Sequence, residues 1–462
     1  MKFAAIFLSP ICRFFWILGI LCLFGGGCAT SYVDRVQLSR KKFYAGNLDS
    51  SRKEMEHQLK WGRRKEADLV KLETAVMDMS NGKMREAKTA LREVRDRFDD
   101  NERKKLVGNT LSLWTDDTVV SYSGEDYEKV MIRMMLTVAD LLDNGGDAEA
   151  YSLQVIEKQE QIRQNANKKP LRDKDDNELP NPKLAYKQVA FGEYLRGVLR
   201  EETLTNYDDA ERAYQHVVSW EPKFSQGKTD LLRVQQGQHH QQGNGVVYVV
   251  AFVGRGPYKA QVNAEATQIA LLIADRVFSM MNKYSVPPTL APVPIPEIRR
   301  YYDNIHAVGI YADGKPVSAT ETITDVGQMA IDQFNANRDM IIAKTIIRRV
   351  VKKGTVYAAK EVADVNPWVS LLMDVGGVVW EAYEAADTRC WGLLPDRIQV
   401  ARLELPAGEH TLELQSISEQ GKPLSSQKYP VTIHVANGYN SYILANFPQN
   451  ELVGKISINE RE

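Results

Sequence analysis

A glycine turn followed by a fixed pattern of apolar and small residues recurs in the first half of the chain, and it constrains the fold more than any other feature. Gly46 is followed by Leu48, Ser51 and Met55; 36 residues later Gly82 is followed by Met84, Ala87 and Leu91. Glycine can end a helix with φ > 0, and the residues after it then share one face of the next helix. A third, looser copy is Asn144-Gly145-Gly146-Asp147-Ala148-Glu149-Ala150, with Ala150 as its small residue. The fourth, Asn206-Tyr207-Asp208-Asp209-Ala210-Glu211-Arg212-Ala213-Tyr214, is clearest in its second helix, which Pro222 should end. The small positions Ser51, Ala87, Ala150 and Ala210 lie 36, 63 and 60 residues apart, so each later gap has room for one degenerate repeat.

This pattern resembles the tetratricopeptide repeat over roughly residues 40–225. The resemblance implies that Gly46 and Gly82 close first helices. It implies that Ser51, Ala87, Ala150 and Ala210 let paired helices approach, and that Met55, Leu91 and Tyr214 fill the groove between them. Gly197 stands thirteen residues before Ala210, where the repeat usually has twelve, so the last copy is divergent. The expected result is a solenoid of stacked helix pairs with a concave face suited to a protein partner; a generic helical bundle is the alternative. Between Lys168 and Pro182 the helical pattern yields to a charged stretch with three prolines, read as a loop. Its Asp173, Asp175 and Asp176 lack the glycine turn and distal Glu of a calcium loop.

The N-terminus carries Lys2 and Arg13, then an apolar run from Phe14 to Phe24, then Gly25-Gly26-Gly27-Cys28. The run is 11 residues, the length of a signal-peptide core, whereas a spanning helix needs roughly 20. The stretch resembles the cleavage and lipidation signal of a bacterial lipoprotein, with Gly25 where such signals usually carry an aliphatic residue. The resemblance implies cleavage before Cys28, acylation of Cys28, and, with Ala29 next, anchoring at the outer membrane facing the periplasm. An ordinary signal peptide or an uncleaved anchor are the alternatives.

Formal net charge is −1, which offers no electrostatic footprint for nucleic acid. Of four cysteines, Cys12 and Cys22 lie in the leader and Cys28 is the lipidation candidate, so Cys390 stands alone. A lone cysteine is more often a small buried hydrophobe than a reactive thiol.

Val234 to Gly245 is polar and marks a boundary; the paired His239 and His240 have no acid or cysteine nearby to complete a metal site. Val246 to Val253 is a β-branched apolar run, hence a buried strand, and Gly254-Arg255-Gly256-Pro257 a turn rather than a phosphate loop. Val286 to Pro296, with five prolines, should be extended, and His306 to Ile310 should enter a hairpin at Asp313-Gly314. Two helices are expected, from Asp325 to about Lys353 and from Trp368 to about Ala386, packed as a hairpin on the sheet. From Arg397 onward, alternation broken by Pro406-Ala407-Gly408, Gln420-Gly421-Lys422 and Asn437-Gly438 predicts an antiparallel meander or sandwich.

The fold class is therefore α+β and multidomain: a signal peptide over 1–27, a tetratricopeptide-like helical domain over 28–235, a linker over 236–245, and over 246–462 a C-terminal antiparallel β domain with an inserted helical hairpin. The layout, with Asp387-Thr388-Arg389-Cys390-Trp391-Gly392-Leu393-Leu394-Pro395 ahead of Gln399-Val400-Ala401-Arg402, resembles an uncharacterised family of Gram-negative lipoproteins. No nucleophile elbow or His-Glu-x-x-His occurs among only seven histidines. The expectation is a lipid-anchored, non-enzymatic scaffold in envelope assembly, without cofactor, binding envelope protein on the concave face of the repeats. The alternatives are an enzyme acting on cell wall or carbohydrate, or a subunit of a secretion machine.

Overall fold

The computed structural model describes residues 31–107, 121–167, 182–281, 291–312, 314–362 and 385–459. Within them the fold is α+β, with eleven α-helices and three sheets. The lipidation candidate Cys28, the acidic stretch after Lys168 and nearly all of the helix expected from Trp368 lie outside the described residues.

Among the described residues nine α-helices make up the first half: α1 (Tyr32–Tyr44), α2 (Leu48–Trp61), α3 (Ala67–Ser80), α4 (Met84–Val107), α5 (Asp126–Leu142), α6 (Ala148–Asn167), α7 (Phe191–Glu202), α8 (Tyr207–Trp220) and α9 (Ser225–Gln235). Each packs on its neighbours in sequence. Local chemistry starts them where it can. Ser31 caps α1 in a reciprocal box with Asp34, and Glu125 pairs likewise with Glu128 at α5. The helices alternate in burial: α3 and α5 are buried along most of their length, whereas α2 buries only Ser51 and Met55. The odd-numbered helices are thus an inner layer and the even-numbered ones an outer layer.

What the inner layer covers is the second half of the chain. Strand β1 (Asn244–Arg255) is buried at every residue from Gly245 to Gly254. It is the central strand of a five-stranded sheet. One neighbour is β7 (Pro395–Pro406), antiparallel and followed by β6 (Glu321–Asp325); the other is β10 (Asn440–Phe447), edged by β11 (Ser457–Asn459). The alternation of a strand sends Val246, Tyr248, Val250 and Phe252 into the core of the helices, and Val247, Val249, Ala251 and Val253 into a second core. That second core is closed by a four-stranded antiparallel sheet of β5 (Lys315–Ala319), β4 (Ala307–Ala312), β8 (Gly408–Ile417) and β9 (Tyr429–Val435). The chain passes from one sheet to the other at Ala407, so the end of the chain is a sandwich.

The expected all-antiparallel β domain needs correcting. β1 and β10 run parallel, in register from Val246↔Asn440 to Val253↔Phe447. β10 enters after a long excursion through the other sheet, and so is free to align with β1 as a hairpin neighbour could not be.

A third core lies apart. β2 (Tyr258–Ala264) pairs with β3 (Val293–Arg299), and α10 (Gln268–Met281) packs on α11 (Val326–Val362) through Ala270, Ile273, Ala274, Val277, Ile342 and Ile346. The long helix α11 joins cores, since its first turns bury Val326, Met329 and Ala330 against the helical half. The helix α10 was not foreseen; it packs on α11, while the second helix of the expected hairpin lies almost wholly outside the described residues.

Residues 236–245 are firmly tied. His239 is buried and its Nε2 lies 2.9 Å from Asn440 Oδ1; Gln241 N donates to Glu404 Oε1 at 2.6 Å. One apolar core runs from α1 to β10 across this junction.

Candidate functional site

Residues 385–394 cross the seam between the inner helices and the β half without secondary structure of their own, and the helices hold them by their backbone. Glu128 of α5 accepts from Trp391 N at 2.8 Å, and Glu73 of α3 accepts from Gly392 N at 3.0 Å. From α1, Arg40 donates to Cys390 O at 3.2 Å and Tyr44 Oη donates to Gly392 O at 3.2 Å. Three helices therefore bind two N–H groups and two carbonyls of one short stretch, as a groove binds an extended peptide. A Cβ at Gly392 would stand 2.3 Å from Arg40 Cζ, so any side chain there would displace that guanidinium. Trp391 fills the space beneath and is fully buried.

The clamp is charged and enclosed. Arg40 pairs with Glu73, and Lys259 of β2 with Glu125. Glu128, fully buried, accepts from Tyr122 Oη and from Glu125 N as well as from Trp391. Burial, reinforced by neighbouring Glu125, raises the Glu128 carboxyl above its ordinary range despite these donors. Arg389 forks onto Asp387, with Nε at 2.9 Å and Nη2 at 2.7 Å, and lies over the Tyr122 ring. Asp387 is lowered because Arg389 and Lys259 outweigh its burial. Burial pushes the Cys390 thiol up to about 11, so at neutral pH it is a protonated, enclosed thiol.

The residues singled out for helix packing fall as follows. Gly46 and Gly82 sit in the α1–α2 and α3–α4 turns with φ of 78° and 75°. Ala87 and Ala210 are fully buried at the fourth position of α4 and α8, and Tyr214 is fully buried at the eighth position of α8, its hydroxyl donating to Glu201 Oε2 at 2.8 Å. Gly197 lies within α7, where a Cβ would stand 2.8 Å from the Tyr214 ring. Pro222 follows α8, which ends at Trp220.

Ala150 is the exception: it is exposed. Helix α6 begins at Ala148, so its buried fourth and eighth residues are Tyr151 and Val155. The longer Asn144–Asp147 turn shifts the register, and Tyr151 and Ser152 are buried where Ala150 was expected to be. In the α7–α8 turn the left-handed residue is Leu204, with φ of 61°, which no glycine announces.

The clamp itself was missed, although a signal existed. Glu73 stands four residues after Leu69 and three before Val76, on the apolar stripe of α3. Glu128 precedes Met131 and Ile132 by three and four residues on α5. An acid on a core stripe needs a donor.

Among the described residues no group of three or more His, Cys, Asp or Glu is placed to hold a metal ion, and no helix is long and apolar enough to cross a membrane. No family model, curated protein or solved structure matches the chain.

Proposed function

We propose that the protein is a lipid-anchored, non-enzymatic interaction scaffold of the bacterial envelope, built on a divergent tetratricopeptide-like array. The observation that carries this reading is the backbone clamp on residues 390–392. Four side chains from three inner helices bind an extended segment, and the chemistry spent there is recognition rather than catalysis. The array is supported by the recurrence of one register: Leu48, Ser51 and Met55 in α2, Met84, Ala87 and Leu91 in α4, Tyr207, Ala210 and Tyr214 in α8 occupy positions one, four and eight.

This reading moves the partner surface. The inner face of the helices, which the repeat pattern would offer to another protein, is covered by the chain's own sheet and clamped segment. An envelope partner therefore meets the outward surface of the array, where Leu38 of α1 and Leu59 and Trp61 of α2 are 53%, 44% and 70% exposed. Anchoring through Cys28 to the outer membrane is supported by the same end of the molecule. Only two residues, Ala29 and Thr30, separate Cys28 from the Ser31 cap. The turn that follows α2 lies beside the start of α1, since Arg35 pairs with Glu66. Trp61, with Lys60 over its ring, and exposed Arg63 and Arg64 are residues suited to a lipid interface.

A photo-crosslinking residue placed at Leu38, Leu232 or Trp61 in living cells tests the scaffold. One recurrent envelope protein should be captured from Leu38 or Leu232, and the adduct should be lost when Cys28→Ala prevents anchoring. Capture of lipid alone from all three positions, or turnover of cell-wall material by the purified protein, overturns the reading. Labelling with an alkyne fatty acid should depend on Cys28.

A further inference from the structure

An open cavity of about 650 Å³ lies beside the clamp, walled by the α1–α2 turn, the end of β1, residues 301–304 and residues 448–453. Its volume is within the range of small-molecule sites. Arg255, at the end of β1, has its guanidinium between the rings of Tyr44 and Tyr301, at 4.2 and 5.6 Å from their centroids. Nε is buried and unbonded, and among the described residues no carboxylate or carbonyl takes a hydrogen bond from the guanidinium. Other arginines of this interface each have a carboxylate partner, Arg40 in Glu73, Arg233 in Glu201 and Asp230, Arg397 in Asp303, although the Nε of Arg40 and of Arg397 is unbonded as well. A half-buried guanidinium whose faces are stacked and whose edge is unused is prepared for an oxyanion.

We propose that this cavity binds a small peptide-like carboxylate, with Arg255 as the carboxylate-binding residue. The charge balance selects the class. Among the described residues Arg255 is the only cation of the lining, which also holds Asp303 and Glu451. Both acids are already engaged, Asp303 by Arg397 at 2.5 Å and Ile305 N at 3.0 Å, Glu451 by Ser425 Oγ at 2.5 Å and by Tyr429. They leave Arg255 free, and their charge disfavours a dianionic phosphate, which one cation would not balance. A monoanionic carboxylate matches one bidentate fork. The rest of the mouth presents the amides of Asn304 and Gln449, which suit peptide groups, and Tyr302, 93% exposed, which offers an aromatic face at the rim. Tyr44 links the two sites: its ring stacks on Arg255 while its hydroxyl holds Gly392 O.

Calorimetric titration of the full-length protein in detergent, with N-acetyl-alanyl-alanine, its C-terminal amide and inorganic phosphate as probes, tests the site. The free acid should bind about tenfold more tightly than the amide or phosphate. Arg255→Gln should weaken the acid by about tenfold, Arg255→Lys by less because charge survives without the fork, and Tyr302→Ala by a few-fold. Equal affinity for acid and amide, preference for phosphate, or no saturation by ~10 mM acid overturns the proposal. So does undiminished binding to an Arg255→Gln protein that melts as the wild type does. If Arg255→Gln fails to fold, the acid–amide comparison and Tyr302→Ala, at a residue without packing duties, decide alone.

Discussion

Strand β1 is buried on both faces, but its two coverings differ in chemistry. Toward the second sheet, Val247, Val249, Ala251 and Val253 meet Val308, Ile310, Leu412, Leu414, Ile433 and Val435, and the polar residues buried on that side, such as Gln399 and Thr320, are uncharged and bonded to each other at 2.6 Å. Toward the helices, Tyr248 and Phe252 share their layer with ion pairs: Arg40 with Glu73, Arg233 with Glu201 at 2.6 Å, Lys259 with Glu125. An aliphatic interface tolerates sliding and repacking. A charged one is strongly penalised when any partner is displaced, because an unpaired buried charge remains. The sandwich is therefore fastened by area, and the helical layer by register.

The largest break in this contrast should come from Trp391→Ala. It empties the best-filled site of the helix–sheet seam and should cost about 4 kcal/mol. Leu414→Ala in the sandwich core should cost about 3 kcal/mol. The two should differ in form: chemical denaturation followed separately by far-ultraviolet circular dichroism and tyrosine fluorescence should split into two transitions for Trp391→Ala and remain coincident for Leu414→Ala. Coincident transitions in both would mean that the seam is no more separable than the sandwich.

Glu73→Ala should follow at about 3 kcal/mol, since it strands both Arg40 and the Gly392 amide. In an Arg40→Met background the same change should cost markedly less, and a double-mutant cycle measures the difference. Additive losses would show that Glu73 acts through shape and not through charge.

The pH response should also report on the helical side. His239, at the junction of the halves, is lowered to about 4, chiefly by burial and despite its bond to Asn440. The unfolded chain, with an ordinary histidine near 6.5, takes up the proton first as pH falls, so this residue's contribution is complete above pH 6.5 and is lost as pH falls toward 4. Over that window the loss should approach ~3 kcal/mol. His239→Gln should flatten the stability profile between those limits; an unchanged slope would remove His239 from the junction's acid sensitivity.

Legibility in the sequence followed the range of the interactions. The run Val246 to Val253 reads as a buried strand because both faces are covered, and the turns at Gly46 and Gly82 read because φ > 0 selects glycine. Helix α10 carried a local signal that was passed over: Thr267 Oγ1 accepts from Ala270 N at 3.1 Å, a cap ahead of an apolar segment. Leu204 hid its turn, because a leucine forced to φ of 61° looks like any other leucine. The clamp was least legible. Glu73 and Glu128 are 319 and 263 residues from the amides they accept, and no local pattern encodes such a pairing. Pairing direction had the same difficulty, since the side chains of β10 alternate identically whether it lies parallel or antiparallel to β1.

The smallest effect separates register within the helical layers. Ala87 and Ala150 look equivalent in the sequence, yet Ala87 is fully buried and Ala150 is exposed. Ala87→Leu forces three additional carbons into a filled space between α3 and α4 and should cost about 1–3 kcal/mol. Ala150→Leu, at the outer surface of α6, should stay within about 0.5 kcal/mol. A leucine at Ser152, fully buried two residues further along, should behave like Ala87→Leu. Urea denaturation of the three variants decides the register of the third helix pair. If Ala150→Leu proved as damaging as Ala87→Leu while Ser152→Leu was silent, α6 would be rotated from its position here, and the longer Asn144–Asp147 turn would no longer explain why the third copy departs from the others.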